Sequence, residues 1–283
     1  MAFAERLSAQ VQRANSLVCV GLDPDPTRFP TPIRDLDRRQ AIVEFNRAII
    51  EATSDLVCAY KPNLGFYVAQ GLDGLEALIE TRAVIPPEIP VILDCKVGDM
   101  GSTATAYAAG YFGEWGFEAI TANPYQGEDC LAPFLSYPDR AVFVLCRTSN
   151  PSSADLQDMV LAETGEPLFM RVASRANHWN RDYAAQVGLV VGATYPAELA
   201  QIRQRCPGLP ILLPGVGAQA GDVESSVEFG IMTGGEGLIV SSSRGIMYAG
   251  SGADFADRAR DAVQALRDQV NAVRSQRAGA ATA

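Results

Sequence analysis

The sequence predicts an α/β fold, a single-domain (β/α)8 barrel of the TIM type, and three observations point to it. Short β-branched apolar runs recur at spacings of 23 to 46 residues, and none alternates cleanly between polar and apolar, as expected of strands buried on both faces. Helical patterns separate them, the alternation that builds parallel sheets. The 283 residues show no shift of composition that would mark a second domain. The eight runs cover 17–22, 56–60, 91–93, 118–121, 141–146, 187–191, 211–213 and 237–240. Helical patterns fill 38–53, 104–115, 166–186, 196–205 and 254–273. Strand counting leaves an open doubly wound sheet as the alternative. The barrel is expected over residues 1–273, with 274–283 a frayed, disordered tail. Two connections, 25–37 and 149–165, are long; both follow C-terminal ends of strands, where barrels keep their binding loops.

Composition narrows the class of function. Apolar residues make up 48% and charged residues 20%, as in an ordinary globular protein. A net charge of −10, from 33 acidic and 23 basic residues without a basic cluster, argues against nucleic-acid or anionic-membrane partners. A bound phosphate must then be held by a few local groups. The single histidine, His178, leaves little scope for a His-based metal site or Ser-His-Asp catalysis, so no metal is expected. Six cysteines without a C-x-x-C pair read as reduced, buried thiols. The N-terminus lacks a signal pattern, and no apolar run approaches the ~18 residues of a membrane span, so a cytoplasmic protein is expected.

The informative residues are polar ones at strand C-termini, the face that carries active sites in barrels. Strand one ends Gly21-Leu22-Asp23, strand two Tyr60-Lys61-Pro62-Asn63, and strand three Asp94-Cys95-Lys96-Val97-Gly98-Asp99. A capping ion-pair network would explain any one of these charges. Five of them from three adjacent strands point instead to function, because burying charge is costly. Asp94 and Lys96, two apart on a strand, leave on the same face, and Asp99 is expected to fold back toward Lys96. A lysine between carboxylates is kept as the ammonium, a proton donor rather than a Schiff-base nucleophile. After strand seven, Pro214-Gly215-Val216-Gly217-Ala218-Gln219, and after strand eight, Ser241-Ser242-Ser243-Arg244-Gly245, sit where barrels commonly hold phosphate. Taken alone, those glycines are ordinary turn residues, and Ser149-Asn150-Pro151 after strand five is an ordinary turn. No residue of 152–165 has an assignable role; the segment is a lid or a surface insertion. His178 and Trp179 lie within a helical pattern and read as structural.

The stretch Leu93-Asp94-Cys95-Lys96-Val97-Gly98-Asp99-Met100-Gly101-Ser102-Thr103-Ala104-Thr105-Ala106-Tyr107 resembles the Asp-x-Lys-x-x-Asp segment of the orotidine 5′-phosphate decarboxylase family, in its longer bacterial (type 2) form. Met100 departs from the isoleucine often found there. The resemblance implies conversion of orotidine 5′-monophosphate to UMP and CO2 in de novo pyrimidine biosynthesis, without metal or cofactor, by a homodimer. It implies that Asp23 and Lys61 contact the ribose, with Lys61 also in the charged array. Asp94 would lie against the substrate carboxylate and Lys96 would protonate C6. Ser149, with Asn150 beside it, would recognise the pyrimidine, and Gln219 and Arg244, with Ser243 nearby, would bind the phosphate. Asp99 and Thr103 would reach into the partner subunit's site. Two rival readings make different demands. Suprafamily enzymes such as 3-keto-L-gulonate 6-phosphate decarboxylase or hexulose-6-phosphate synthase use Mg²⁺ and an acid at the end of strand two, where this chain has Lys61. A non-catalytic nucleotide sensor needs the phosphate loops but not a lysine flanked by carboxylates.

Overall fold

Strands that are mainly apolar, with no clean alternation, must be covered on both faces, and a closed barrel wrapped in helices does this. In the computed structural model, which describes residues 1–216 and 223–281, the strands are β1 Val18–Leu22, β2 Ala59–Pro62, β3 Ile92–Val97, β4 Ala119–Ala122, β5 Ala141–Arg147, β6 Gln186–Val191, β7 Ile211–Pro214 and β8 Leu238–Ser242. They pair in parallel in the order β2-β1-β8-β7-β6-β5-β4-β3. The ring closes at the β2–β3 seam through parallel bridges Tyr60–Val91 and Asn63–Asp94, with the Tyr60 amide donating to the Pro90 carbonyl at 3.1 Å. β1, β2 and β4 are buried along their whole lengths.

The surrounding helices follow their apolar spacing. Arg38–Thr53 is capped by the Asp37 carboxylate, which accepts from the Gln40 amide, and it buries Ile42, Phe45 and Ile49. A helix at Phe3–Ala14, absent from the sequence reading, buries Phe3, Leu7 and Val11. It lies on the side away from the strand C-termini: the Phe3 ring meets Phe143 edge-on at 5.8 Å, and Arg6 pairs with the buried Glu118 that precedes β4. These contacts belong to stability rather than chemistry.

Boundaries shifted where the pattern met irregular backbone. The helical stretch at 104–115 is an α-helix Gly101–Ala108 that widens into a π-helical turn, Ala109–Glu114. The stretch at 166–186 shortens to Leu168–Asp182, because Tyr183 is extended and Gln186 opens β6. The last helix, Phe255–Ala281, runs past residue 273 instead of fraying there; Arg274 donates to the Gly235 carbonyl at 3.0 Å. The segment 149–165 carries a 3-10 turn at Pro151–Ser153, a short helix at Ala154–Gln157 and an antiparallel bridge from Val160 to Pro167. No described helix is long and apolar enough to cross a membrane. All six cysteines are free.

Candidate active site

The strand C-termini converge on Asp94. β3 continues to Val97, beyond the apolar run at 91–93, and it does so by bulging: Leu93 pairs with Ile120, and the register resumes only at Val97 opposite Ala122. Within the bulge Lys96 takes φ +47°, a left-handed conformation that costs a non-glycine residue about 1–2 kcal/mol. Four donors meet the Asp94 carboxylate. Lys96 Nζ lies 2.6 Å and Thr121 Oγ1 2.9 Å from Oδ1, while Lys61 Nζ lies 3.1 Å and Asn63 Nδ2 3.3 Å from Oδ2. Burial by itself would raise this carboxyl, but the ammonium groups of Lys61 and Lys96 outweigh it and hold the group at about 2. Burial likewise opposes the charge on Lys61, yet Asp94 and then Asp23 prevail and push its ammonium well above the usual lysine range. The lysine side chains differ in access: that of Lys61 is 5% exposed and that of Lys96 49%, so Lys96 carries the more accessible ammonium.

Next to this array is a cavity of about 300 Å³ lined by Asp23, Lys61, Asn63, Asp94, Ser149, Gly215 and the Ser241–Arg244 turn. Asp23 accepts from the Ser243 hydroxyl through Oδ2 and from the Asn63 amide at 3.2 Å through Oδ1. Gly21 permits that approach, since a Cβ there would fall 1.9 Å from Ser243 Oγ. Arg244 is exposed, lines the cavity and makes no ion pair among the described residues, so no carboxylate competes there for its guanidinium. Gln219, the other residue expected at this end, lies outside the described residues.

A second, larger compartment of about 780 Å³ shares Lys61, Asp94, Ser149 and Pro214 with the first. Its far wall is apolar, formed by Leu145, Leu156, Leu168, Phe169, Val172, Val190 and Leu212. Ser149 stands where the two compartments join, packed against Gly192, where a Cβ would lie 2.8 Å from the Ser149 Cβ. Asn150 is exposed at the rim and accepts from the Thr148 hydroxyl at 2.7 Å. Gln157, from the segment left unassigned by sequence, clamps Thr148: it accepts from the Thr148 amide at 2.8 Å and donates to its hydroxyl at 2.7 Å. The buried Arg147 guanidinium holds that segment in place through Ser153, Gln157 and Asp158. The segment is thus one wall of the site.

Two expected site residues stand apart. Asp99 does not fold back on Lys96; its carboxylate accepts from the Met100 amide at 2.8 Å, at the start of the helix Gly101–Ala108, and makes no ion pair within the chain among the described residues. Thr103 is exposed on that helix. Conversely, sequence reading passed over Asn63 and Thr121 as contacts of Asp94, although both are polar residues at the C-terminal ends of apolar strands. His178 is exposed and pairs with Asp182 at 3.0 Å, one helical turn on. Among the described residues, no group of three or more His, Cys, Asp or Glu side chains is placed to hold a metal ion.

Comparison with known proteins adds an independent line. The sequence profile of the orotidine 5′-phosphate decarboxylase / HUMPS family matches residues 16–259. The orotidine 5′-phosphate decarboxylase of Thermomicrobium roseum is 55% identical over 258 residues, covering 91% of this chain and 90% of that protein. The structure of Leishmania donovani OMP decarboxylase superposes with a TM-score of 0.83 at 40% identity, over 97% of this chain and 99% of that one. Leishmania donovani UMP synthase gives a TM-score of 0.86 at 41% identity over 97% of this chain, which spans 57% of that longer one.

Proposed function

The chain belongs to the orotidine 5′-phosphate decarboxylase / HUMPS family, and from that premise we propose that it decarboxylates orotidine 5′-monophosphate to UMP and CO2 in pyrimidine biosynthesis, without metal or cofactor, in the cytoplasm. The observation that carries this reading is the array in which Asp94 binds the ammonium groups of Lys61 and Lys96. The C6–carboxylate bond breaks, CO2 leaves, and the electron pair stays at C6 in an orbital that the ring does not delocalise. Lys96 stabilises that developing charge and then transfers a proton from Nζ to C6, completing UMP; its charge is fixed in place before the bond breaks. Asp94 lies beside the departing carboxylate, and Lys61 and Asp23 hold the ribose. Ser149, with Asn150 at the rim, reads the pyrimidine in the larger compartment. Arg244, Ser243 and Gln219 grip the phosphodianion, whose binding energy helps hold the reacting end in place. A metal-assisted enediolate route is the poorer fit, because the buried ammonium of Lys61 stands beside Asp94, where such a route needs an acid to bind a divalent cation.

The active unit in this reading is a homodimer, with Asp99 and Thr103 entering the partner subunit's site. Asp99 has no ion pair within the chain among the described residues, and the exposed apolar side chains of Met100 and Tyr107 lie beside Asp99 and Thr103 in the same stretch. The test is to incubate purified protein with orotidine 5′-monophosphate in EDTA and follow ultraviolet absorbance. Full conversion to UMP is expected. No conversion, or loss in EDTA restored by Mg²⁺, contradicts the reading.

A further inference from the structure

The bulge in β3 sets three residues against one. Asp94, Cys95 and Lys96 lie between the paired positions Leu93 and Val97, while β4 has only Thr121 between Ile120 and Ala122. A bulge removes ladder partners from the residues it extrudes, and their polar groups must find others. The Lys96 amide finds its partner at Thr121, and the side chains of Asp94 and Cys95 bond to the same residue. Its hydroxyl accepts from the Lys96 amide at 2.9 Å and donates to Asp94 Oδ1 at 2.9 Å, and its carbonyl accepts from the Cys95 thiol at 3.3 Å. Thr121 is 1% exposed, so water does not compete for these bonds. The direction of each bond is set by chemistry. An ionised carboxylate can only accept, so the hydroxyl proton points to Asp94 and a lone pair is left for the Lys96 N–H. One oxygen therefore joins the left-handed backbone of the proton donor to the carboxylate that pairs with its ammonium.

We propose that Thr121 is a positioning residue that locks the β3 bulge, fixing the Lys96 ammonium and the Asp94 carboxylate in the geometry the decarboxylation needs. The proposal rests on the decarboxylase reading for its effect on rate, but the lock itself is a property of the backbone. Thr121 acts through its two neighbours; among the described residues it makes no hydrogen bond to Asp23, Lys61, Ser243 or Arg244, the groups assigned to ribose and phosphate. Loss of the hydroxyl should then fall on kcat and leave KM nearly alone.

The test compares Thr121→Val, which keeps the shape and removes the hydroxyl, with Thr121→Ser, which keeps the hydroxyl and removes a methyl. Thr121→Val is expected to lower kcat by roughly tenfold or more, the scale of a misplaced reacting group, with KM and UMP affinity within about twofold of wild type. Thr121→Ser is expected to keep most of the turnover. Amide hydrogen exchange gives a readout that needs no activity: the Lys96 N–H should be protected in wild type and Thr121→Ser and exchange faster in Thr121→Val. Wild-type kcat in Thr121→Val overturns the proposal, as does an equal loss in both variants, which would mark a packing role. If the wild type itself fails to decarboxylate, the functional reading falls, and exchange at Lys96 still decides the lock: faster exchange in Thr121→Val upholds it and unchanged exchange overturns it.

Discussion

At Asp94 a single carboxylate serves two lysines, an amide and a hydroxyl, and its ionisation is tied to the folded state. Held at about 2 against an ordinary 3.8, it contributes stability that is fully present above the ordinary value and lost as pH falls through the lower one. Acid unfolding should therefore show stability falling between about pH 4 and pH 2, with a smaller fall over that window in Asp94→Asn, measured by denaturant titration at each pH. An Asp94→Asn slope matching wild type would show that the carboxylate is not paired as described. The charged members of this site were legible because Asp23, Lys61, Asp94 and Lys96 gather at the ends of three adjacent apolar strands, more charge than a capping ion pair needs. Thr121 and Asn63 were not, since a neutral polar residue at a strand end is ordinary until its partner is seen. The fold-back of Asp99 failed for a local reason: the next residue's amide at a helix start competes for the same carboxylate.

Among the elements, β1 and the turn after β8 depend on each other. Gly21→Ala puts a methyl where Ser243 Oγ now sits, and the turn carrying Ser243 and Arg244 must move away. KM for orotidine 5′-monophosphate should rise several-fold by steady-state kinetics, and a more modest fall in kcat should accompany it; unchanged KM would detach this turn from substrate binding. Most elements could be read from apolar periodicity, and the helix at Pro196–Arg205 coincides with its pattern. The miss at β3 is instructive. Asp94 and Lys96 are expected two apart on a regular strand, whereas a bulge breaks that alternation between Leu93 and Val97 and still turns both charges into the site. The segment after β5 was opaque because its work is done by Gln157 and Arg147 bonding to backbone and hydroxyl groups, which leaves no periodic trace.

The whole molecule carries a net charge of −10 and yet is read as binding a dianion, so attraction must come from the few cations at the strand ends rather than from the surface as a whole. Barrel closure brings those cations together from β2, β3 and the turn after β8, which no single segment could do. That much the alternation of strands and helices foretold; the proposed pairing of two chains has no such trace, because an interface has no period. One measurement engages the decarboxylase activity, the role of Lys96 and the shared array together. Lys96→Ala and Asp99→Ala homodimers should each be nearly inactive toward orotidine 5′-monophosphate. Coexpressed with distinguishable tags, the two variants form heterodimers in which one site carries both defects and the other has its own Lys96 and the partner subunit's Asp99 intact. Random mixing gives half heterodimers with one good site of two, so the mixture should recover about a quarter of wild-type turnover. A mixture as inactive as its parents, with heterodimers verified, would contradict the account.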